Sequence, residues 1–302
     1  MSAVFIGTFG NLLGSKSALL LKSRIKIMSD YRPSSDLAKF RSILKESKNV
    51  LILSGAGMSA ESGIPTFRGE GGYWRTYVAA NLDTPQAFKA NPSLVWEFYH
   101  YRRELARLAQ PNPGHIALAE FERKSLEKGR DVTLVTQNFD NLHARAGSQN
   151  IVELHGNLYK TRCTKCGNIK VNNDSPICEA LRDKGTPDPN AVSSDIPLEL
   201  LPRCKVLDCG GLLRPHVVWF GEILEEDVLE KAHAALSDCD VCLIIGTSSV
   251  VYPAAMFAPQ AASRGIPVAE FNIEATPVTE NFGFYFQGKC GEILPKVLDV
   301  HT

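Results

Sequence analysis

Four cysteines form two short knuckles, Cys163-Thr-Lys-Cys166 and Cys204-Lys-Val-Leu-Asp-Cys209, about forty residues apart. Each knuckle sets two thiolates on a tight turn followed by a glycine, Gly167 or Gly210, that lets the backbone curl. Two such turns supply the tetrahedral sulfur set that zinc takes, and four protein ligands leave no open position for water. The spacing therefore predicts one structural Zn²⁺ on Cys163, Cys166, Cys204 and Cys209, against the plainer alternative of free buried thiols. Cys178 lies between the knuckles but lacks a partner at knuckle spacing, and Cys239 and Cys242 read as buried thiols. A zinc ribbon built for nucleic acid needs an aromatic platform beside a dense basic patch, and this module has none.

A second constellation is Gly55-Ala56-Gly57-Met58-Ser59-Ala60, which follows an apolar strand and matches the dinucleotide pattern G-x-G-x-x-G/A. The glycines permit a tight turn and a close approach to a pyrophosphate, which the helix N-terminus then stabilises. A purely structural turn explains the motif about equally well, and no acid closes a second strand where the fingerprint expects one. A polar, glycine-rich loop, Ser62 to Gly69, follows instead, and long ordered loops of that kind usually carry function. Further polar groups close other apolar runs: Gln137-Asn138-Phe139-Asp140, His155-Gly156, Gly246-Thr247-Ser248, and Asn272 with Glu274. Tyr99 and Arg102 stand one helical turn apart, which by itself reads as a solvated charged face carrying a packed tyrosine.

The elements that must position these groups are apolar runs separated by helical patterns. Asn49–Ser54, Asp131–Thr136, Asp240–Ile245 and Ile266–Phe271 are apolar with polar ends, which indicates a parallel sheet covered on both faces. The fold class predicted is α/β, a doubly wound parallel (Rossmann-type) sheet whose ligands collect at the carboxyl ends of its strands. Its expected extent is about 38–69, 126–159 and 214–298, with a helical insertion at about 70–125 and a zinc module at about 160–213. The 302 residues are 44% apolar and 22% charged, ordinary globular composition, and no apolar run reaches the roughly 20 residues of a membrane span. Residues 1–29 hold four bases and no acid, the character of a mitochondrial transit peptide. The remainder has 29 basic against 33 acidic residues, the wrong sign for a protein that lives on phosphate contacts.

The run Gly55-Ala-Gly-Met-Ser-Ala-Glu-Ser-Gly-Ile-Pro-Thr-Phe-Arg-Gly69, then Gln137-Asn-Phe-Asp140, His155-Gly156, the paired cysteines and Gly246-Thr-Ser248, resembles the sirtuin family motif by motif and in order, over about residues 38–298. Within the family it most resembles the class III, mitochondrial sirtuin-five type, which removes acidic acyl groups from lysine. The resemblance implies NAD as cofactor, held by Gly55, Ala56, Gly57, Ser59, Ala60, Glu61, Pro65, Thr66, Phe67, Arg68 and Trp74. It further implies Gln137, Asn138, Phe139 and Asp140 at the nicotinamide and ribose end, and Gly246, Thr247, Ser248, Asn272, Ile273, Glu274 and Cys290 toward the adenosine. His155 is implied as the general base that takes a proton from a ribose hydroxyl, and an imidazole with an unperturbed pKa of about 6.5 suits that role.

The same resemblance makes Tyr99 and Arg102 the receptor for the acyl carboxylate, since Arg offers a fixed fork of donors and Tyr a hydroxyl. Val218, Phe220, Gly221 and Glu222 match the strand on which the acyl-lysine segment of a substrate protein is laid. Two departures stand out: Phe139 replaces a smaller aliphatic residue, and Asp83 replaces a small one. Asp83 either faces the acyl pocket or caps the helix begun by Asp-Thr-Pro. The function expected is NAD-dependent removal of succinyl, malonyl and glutaryl groups ahead of acetyl, giving nicotinamide and O-acyl-ADP-ribose. The alternatives are general deacetylation or mono-ADP-ribosyl transfer in the same pocket, and a non-catalytic NAD-sensing scaffold. The protein is expected to be a monomer of the mitochondrial matrix, also present in cytosol and nucleus, with neither nucleic acid nor membrane as partner.

Overall fold

The computed structural model describes residues 32–66 and 72–300. The expected leader, and Phe67 and Arg68 of the cofactor loop, lie outside the described residues. In chain order the strands are β1 (Asn49–Ser54), the hairpin β2 (Tyr73–Trp74) and β3 (Tyr77–Val78), β4 (Asp131–Thr136), β5 (Ile151–Glu153) and β6 (Gly156–Cys163). They continue with β7 (Ile169–Val171), β8 (Leu213–Val217), β9 (Val241–Ile245), β10 (Val268–Asn272) and β11 (Phe284–Gln287).

Six of them make one sheet in the order β11-β10-β9-β1-β4-β5, and every pairing in it is parallel. The chain runs outward from β1 through β4 to β5, then crosses to β9 and runs outward the other way to β11. That is the doubly wound arrangement expected, and its switch point lies between β1 and β9, where open α/β sheets bind ligands. The continuous apolar character of the strands has a direct cause. Val50 and Ile52 of β1 pack with Leu243 and Ile245 of β9 on one face, while Leu51 and Leu53 pack with Cys242 and Ile244 on the other. Both faces are covered, so neither set of alternate side chains meets water.

A separate three-stranded antiparallel sheet, β7-β6-β8, carries the cysteine module. It packs with the insertion around its own core, which includes Trp74, Trp96, Tyr99, Leu158 and Trp219. The insertion expected as helices only also contains the β2–β3 hairpin. Its longest helix, Pro92–Leu108, starts where Asn91 accepts a hydrogen bond from the Leu94 amide and Pro92 takes the first helical position. The solvated charged face that its composition suggests is confined to the last turns, where Arg107 is exposed beside Glu104; Glu97 and Tyr99 are fully buried and Arg103 is 2% exposed. Arg103 is buried because it donates to the carbonyls of Leu158, Asn172 and Asp174, stitching the helix to the cysteine module. Among the described residues no helix is long and apolar enough to cross a membrane.

Candidate active site

At the switch point the turns that leave β1 and β9 lie back to back. The Gly55 amide donates to the Ile245 carbonyl at 2.9 Å and the Gly57 amide to the Gly246 carbonyl at 2.8 Å. A Cβ on Gly55 would sit 2.7 Å from Cβ of Thr247, and one on Gly57 would sit 2.8 Å from the Gly246 oxygen. The glycines are thus required first of all for two turns to touch, and these two amides are spent on that contact. The helix that follows is a single turn, Gly57–Ala60, shorter than the helix N-terminus that the fingerprint leads one to expect.

Side chains from neighbouring strand ends lock this floor together. Gln137 donates to Thr247 Oγ1 at 3.0 Å, and Asn272 donates to the Thr247 carbonyl at 2.8 Å. Asn138 donates to the Gly55 carbonyl at 3.0 Å and to Ser59 Oγ at 3.2 Å. Asp140 is buried and accepts from the Leu142 amide at 2.9 Å. Burial pushes its carboxyl pKa up, with hydrogen bonds from Ser59 and Leu142 pulling the other way.

His155 stands just beyond β5. Its Nδ1 lies 3.1 Å from the Gln137 carbonyl oxygen. A carbonyl can only accept, so Nδ1 carries the proton and Nε2 keeps the lone pair. Burial pulls the imidazole pKa below its ordinary value, and the bond to Gln137 only partly offsets this. The ring is therefore a neutral base at physiological pH.

Above this floor opens a cavity of about 820 Å³. Of the expected cofactor residues, Gly55, Ala56, Gly57, Ser59, Pro65, Thr66, Trp74, Gln137, Asn138, Phe139, Asp140, Gly246, Thr247, Ser248, Asn272, Ile273 and Glu274 line it. So do His155 and the expected substrate residues Tyr99, Arg102, Val218, Phe220, Gly221 and Glu222. Ala60, Glu61 and Cys290 do not. Glu61 accepts instead from the Gly291 amide at 2.9 Å, tying the loop to the first turn of the last helix. Cys290 is buried in the main core, where burial beside Glu61 pushes its thiol up to about 12. The cavity volume and its backing of glycine turns, amide side chains and strand-end carboxylates fit a dinucleotide.

The far end of the cavity settles the position of Asp83. Thr84, not Asp83, caps the following helix, through Thr84 Oγ1 and the Ala87 amide at 3.1 Å. Asp83 ends the preceding short helix, Ala79–Leu82, and is 4% exposed. Its Oδ1 accepts from the Tyr99 hydroxyl at 2.6 Å, and its Oδ2 from Arg102 at 3.2 Å. Burial raises the Asp83 pKa against the lowering effect of Arg102, and burial together with Asp83 holds the Tyr99 phenol well above its usual value. Arg102 lies 4.6 Å from the centre of the Phe139 ring, so the aromatic side chain that departs from the smaller aliphatic residue serves as a platform for the guanidinium. Trp219 was not anticipated as a site residue; it lines the cavity and donates to the Tyr99 oxygen at 2.8 Å. Val250 to Pro253 were missed as well, although they directly follow the strand-end turn Gly246-Thr-Ser248.

The four knuckle cysteines converge, with all four Sγ atoms within 4.8 Å of one another. Cys163 and Cys209 are 3.6 Å apart and Cys166 and Cys204 are 3.8 Å apart. A tetrahedron with zinc–sulfur bonds of about 2.3 Å has edges of about 3.8 Å, so this set fits one Zn²⁺. Gly167 and Gly210 adopt φ of +71° and +57°, the curl expected after each pair. Cys178 is not in the cluster.

Comparison with known proteins places these features in context. Residues 55–253 match the Sir2 family. An NAD-dependent protein deacylase of Daphnia pulex is 64% identical over 266 residues, which cover 88% of this chain and 97% of the relative. A protein of Canis lupus familiaris named NAD-dependent protein deacylase sirtuin-5, mitochondrial, is 60% identical over 270 residues, 89% of this chain and 87% of the relative. The crystal structure of a Sir2 homologue in complex with NAD is 41% identical, with a TM-score of 0.75 over 89% of this chain and 94% of the other.

Proposed function

The chain belongs to the Sir2 family, and from that premise we propose that it works as an NAD-dependent protein deacylase that removes acidic acyl groups (succinyl, malonyl and glutaryl) from lysine side chains. Acyl-lysine, NAD and one water give nicotinamide, free lysine and O-acyl-ADP-ribose. The observation that carries the reading is that one cavity joins a neutral histidine base, His155, to a half-buried arginine, Arg102, with the strand-end floor between them. Bound NAD would supply an electrophilic ribose carbon, with nicotinamide as its leaving group.

The protein's own part is to bind, orient and move a proton. Gln137 fixes His155 through Nδ1, so that Nε2 is the atom that takes a proton from a hydroxyl in the cavity. Asn138 and Asp140 are held against Gly55, Ser59 and Leu142, ready to bind a carboxamide without reorganising. Ser248, Asn272 and Glu274 take the ribose and phosphate end. Val218, Phe220, Gly221 and Glu222 bind the substrate segment as an added strand. Arg102 reads the far end of the acyl chain, since its guanidinium lines the cavity and offers a fixed fork of donors to a carboxylate. One Zn²⁺ on Cys163, Cys166, Cys204 and Cys209 holds the small module folded and takes no part in the chemistry.

The mitochondrion is the proposed location, supported by the name of the canine relative and by the basic, acid-free composition of residues 1–29. Action as a monomer in the matrix, with a further pool in cytosol and nucleus, completes the proposal. Mass spectrometry of a succinyl-lysine peptide incubated with NAD tests it. Free lysine plus acyl-ADP-ribose is expected, and added ADP-ribose or an unchanged peptide refutes it.

A further inference from the structure

We propose that Asp83 is a built-in carboxylate that occupies the Tyr99–Arg102 receptor and competes with the far end of an acyl chain, so that it sets how strongly acidic acyl-lysines are favoured over neutral ones. The inference rests on the acyl-receptor reading of Tyr99 and Arg102 given above.

A phenol has one proton. Tyr99 gives it to Asp83 Oδ1 at 2.6 Å, while its oxygen accepts from Trp219 Nε1 at 2.8 Å, so the hydroxyl is held in that direction from both sides. The charge of Arg102 is countered by the same carboxylate at 3.2 Å. The backbone of Asp83 is held from both sides. Its amide donates to the Ala79 carbonyl at 3.2 Å, and its carbonyl accepts from the Phe220 amide at 2.8 Å, tying it to a helix end and to the turn that follows β8. An entering acyl carboxylate therefore meets a receptor of no net charge and places a like charge beside Asp83. An acetyl group meets neither obstacle.

The test is the ratio of kcat/KM for succinyl-lysine to that for acetyl-lysine on one peptide sequence, with Kd for each peptide measured by calorimetry. Asp83→Asn keeps the volume and the acceptor for Tyr99 but removes the charge. It is expected to raise the ratio by about ten- to a hundredfold, the worth of one hydrogen bond to a charged group. Asp83→Ala is expected to raise it too, and Arg102→Met in the Asp83→Asn background to cancel the gain. A ratio unchanged in Asp83→Asn, or raised only in Asp83→Ala, overturns the proposal, the second result showing that space and not charge is limiting. In either case the acyl-receptor reading survives if Arg102→Met in the native background lowers succinyl activity more than acetyl activity. If Arg102→Met lowers both equally in both backgrounds, that reading falls and this proposal falls with it.

Discussion

Removing the carboxylate of Glu97 should loosen the joint between the helical insertion and the cysteine module. Glu97 and Arg75 form an ion pair at 2.7 Å with side chains 0% and 3% exposed. The other carboxylate oxygen accepts from the Ser194 amide at 2.8 Å and from Ser193 Oγ at 3.2 Å. Arg75 in turn donates to the Thr186 carbonyl at 3.0 Å and lies over the Trp74 ring at 4.2 Å, and Trp74 donates to the Gly185 carbonyl at 3.2 Å. Three segments that are distant in sequence thus meet at one carboxylate. Breaking a buried pair from one side costs about 3–5 kcal/mol, because the remaining charge stays desolvated. For Glu97→Ala we take about 4 kcal/mol, which lowers Tm by on the order of 10 °C in a domain of this size. Glu97→Gln keeps an acceptor and should fall between. The double change Arg75→Met with Glu97→Leu should recover more than half of the loss, since no charge is left buried. Thermal melts of the four proteins, with limited proteolysis between residues 185 and 196, measure this. If Glu97→Ala lowers Tm by less than about 2 °C and leaves cleavage unchanged, the clamp contributes nothing and the reasoning is refuted.

Four further outcomes are expected. His155→Ala should lower acyl transfer by about 10²- to 10⁴-fold with Tm unchanged, and turnover within tenfold of the native enzyme would remove His155 from the mechanism. Because burial lowers the His155 pKa from 6.5, activity in the native enzyme should persist below pH 6.5 and fall only as pH drops through that lowered value, which a pH profile of kcat/KM checks. Any of Cys163, Cys166, Cys204 or Cys209 changed to Ser should reduce bound zinc and Tm together; a metal-free protein of native stability would contradict a structural role. His115 is buried with its pKa lowered from 6.5 to about 4, so the unfolded chain takes up the proton first as pH falls. Its contribution to stability is complete above 6.5 and is lost between 6.5 and about 4, so Tm should fall across that window and fall less in His115→Gln.

The features of this protein whose physics is local can be read directly from its residues. Apolar runs with polar ends are legible as buried parallel strands, and the groups at those ends line the cavity because the carboxyl edge of such a sheet is one place in space. The four zinc ligands are legible because each knuckle is a short turn that makes half of the site alone. Tertiary packing decided the rest. Whether Asp83 capped a helix or entered the pocket depended on Tyr99 and Arg102, which belong to another helix, and on Thr84 taking the cap. The charges of the Pro92–Leu108 helix read as solvated because their partners, Arg75, Leu158 and Asn172, lie far away in the chain. Cys290 sits in the core and not in the cavity, and its place at the start of the last helix does not by itself say which way the thiol turns. A short-range pattern specifies an element and its exposed end, whereas the partner of a long polar side chain is chosen only when distant segments are brought together and each buried charge must find its complement.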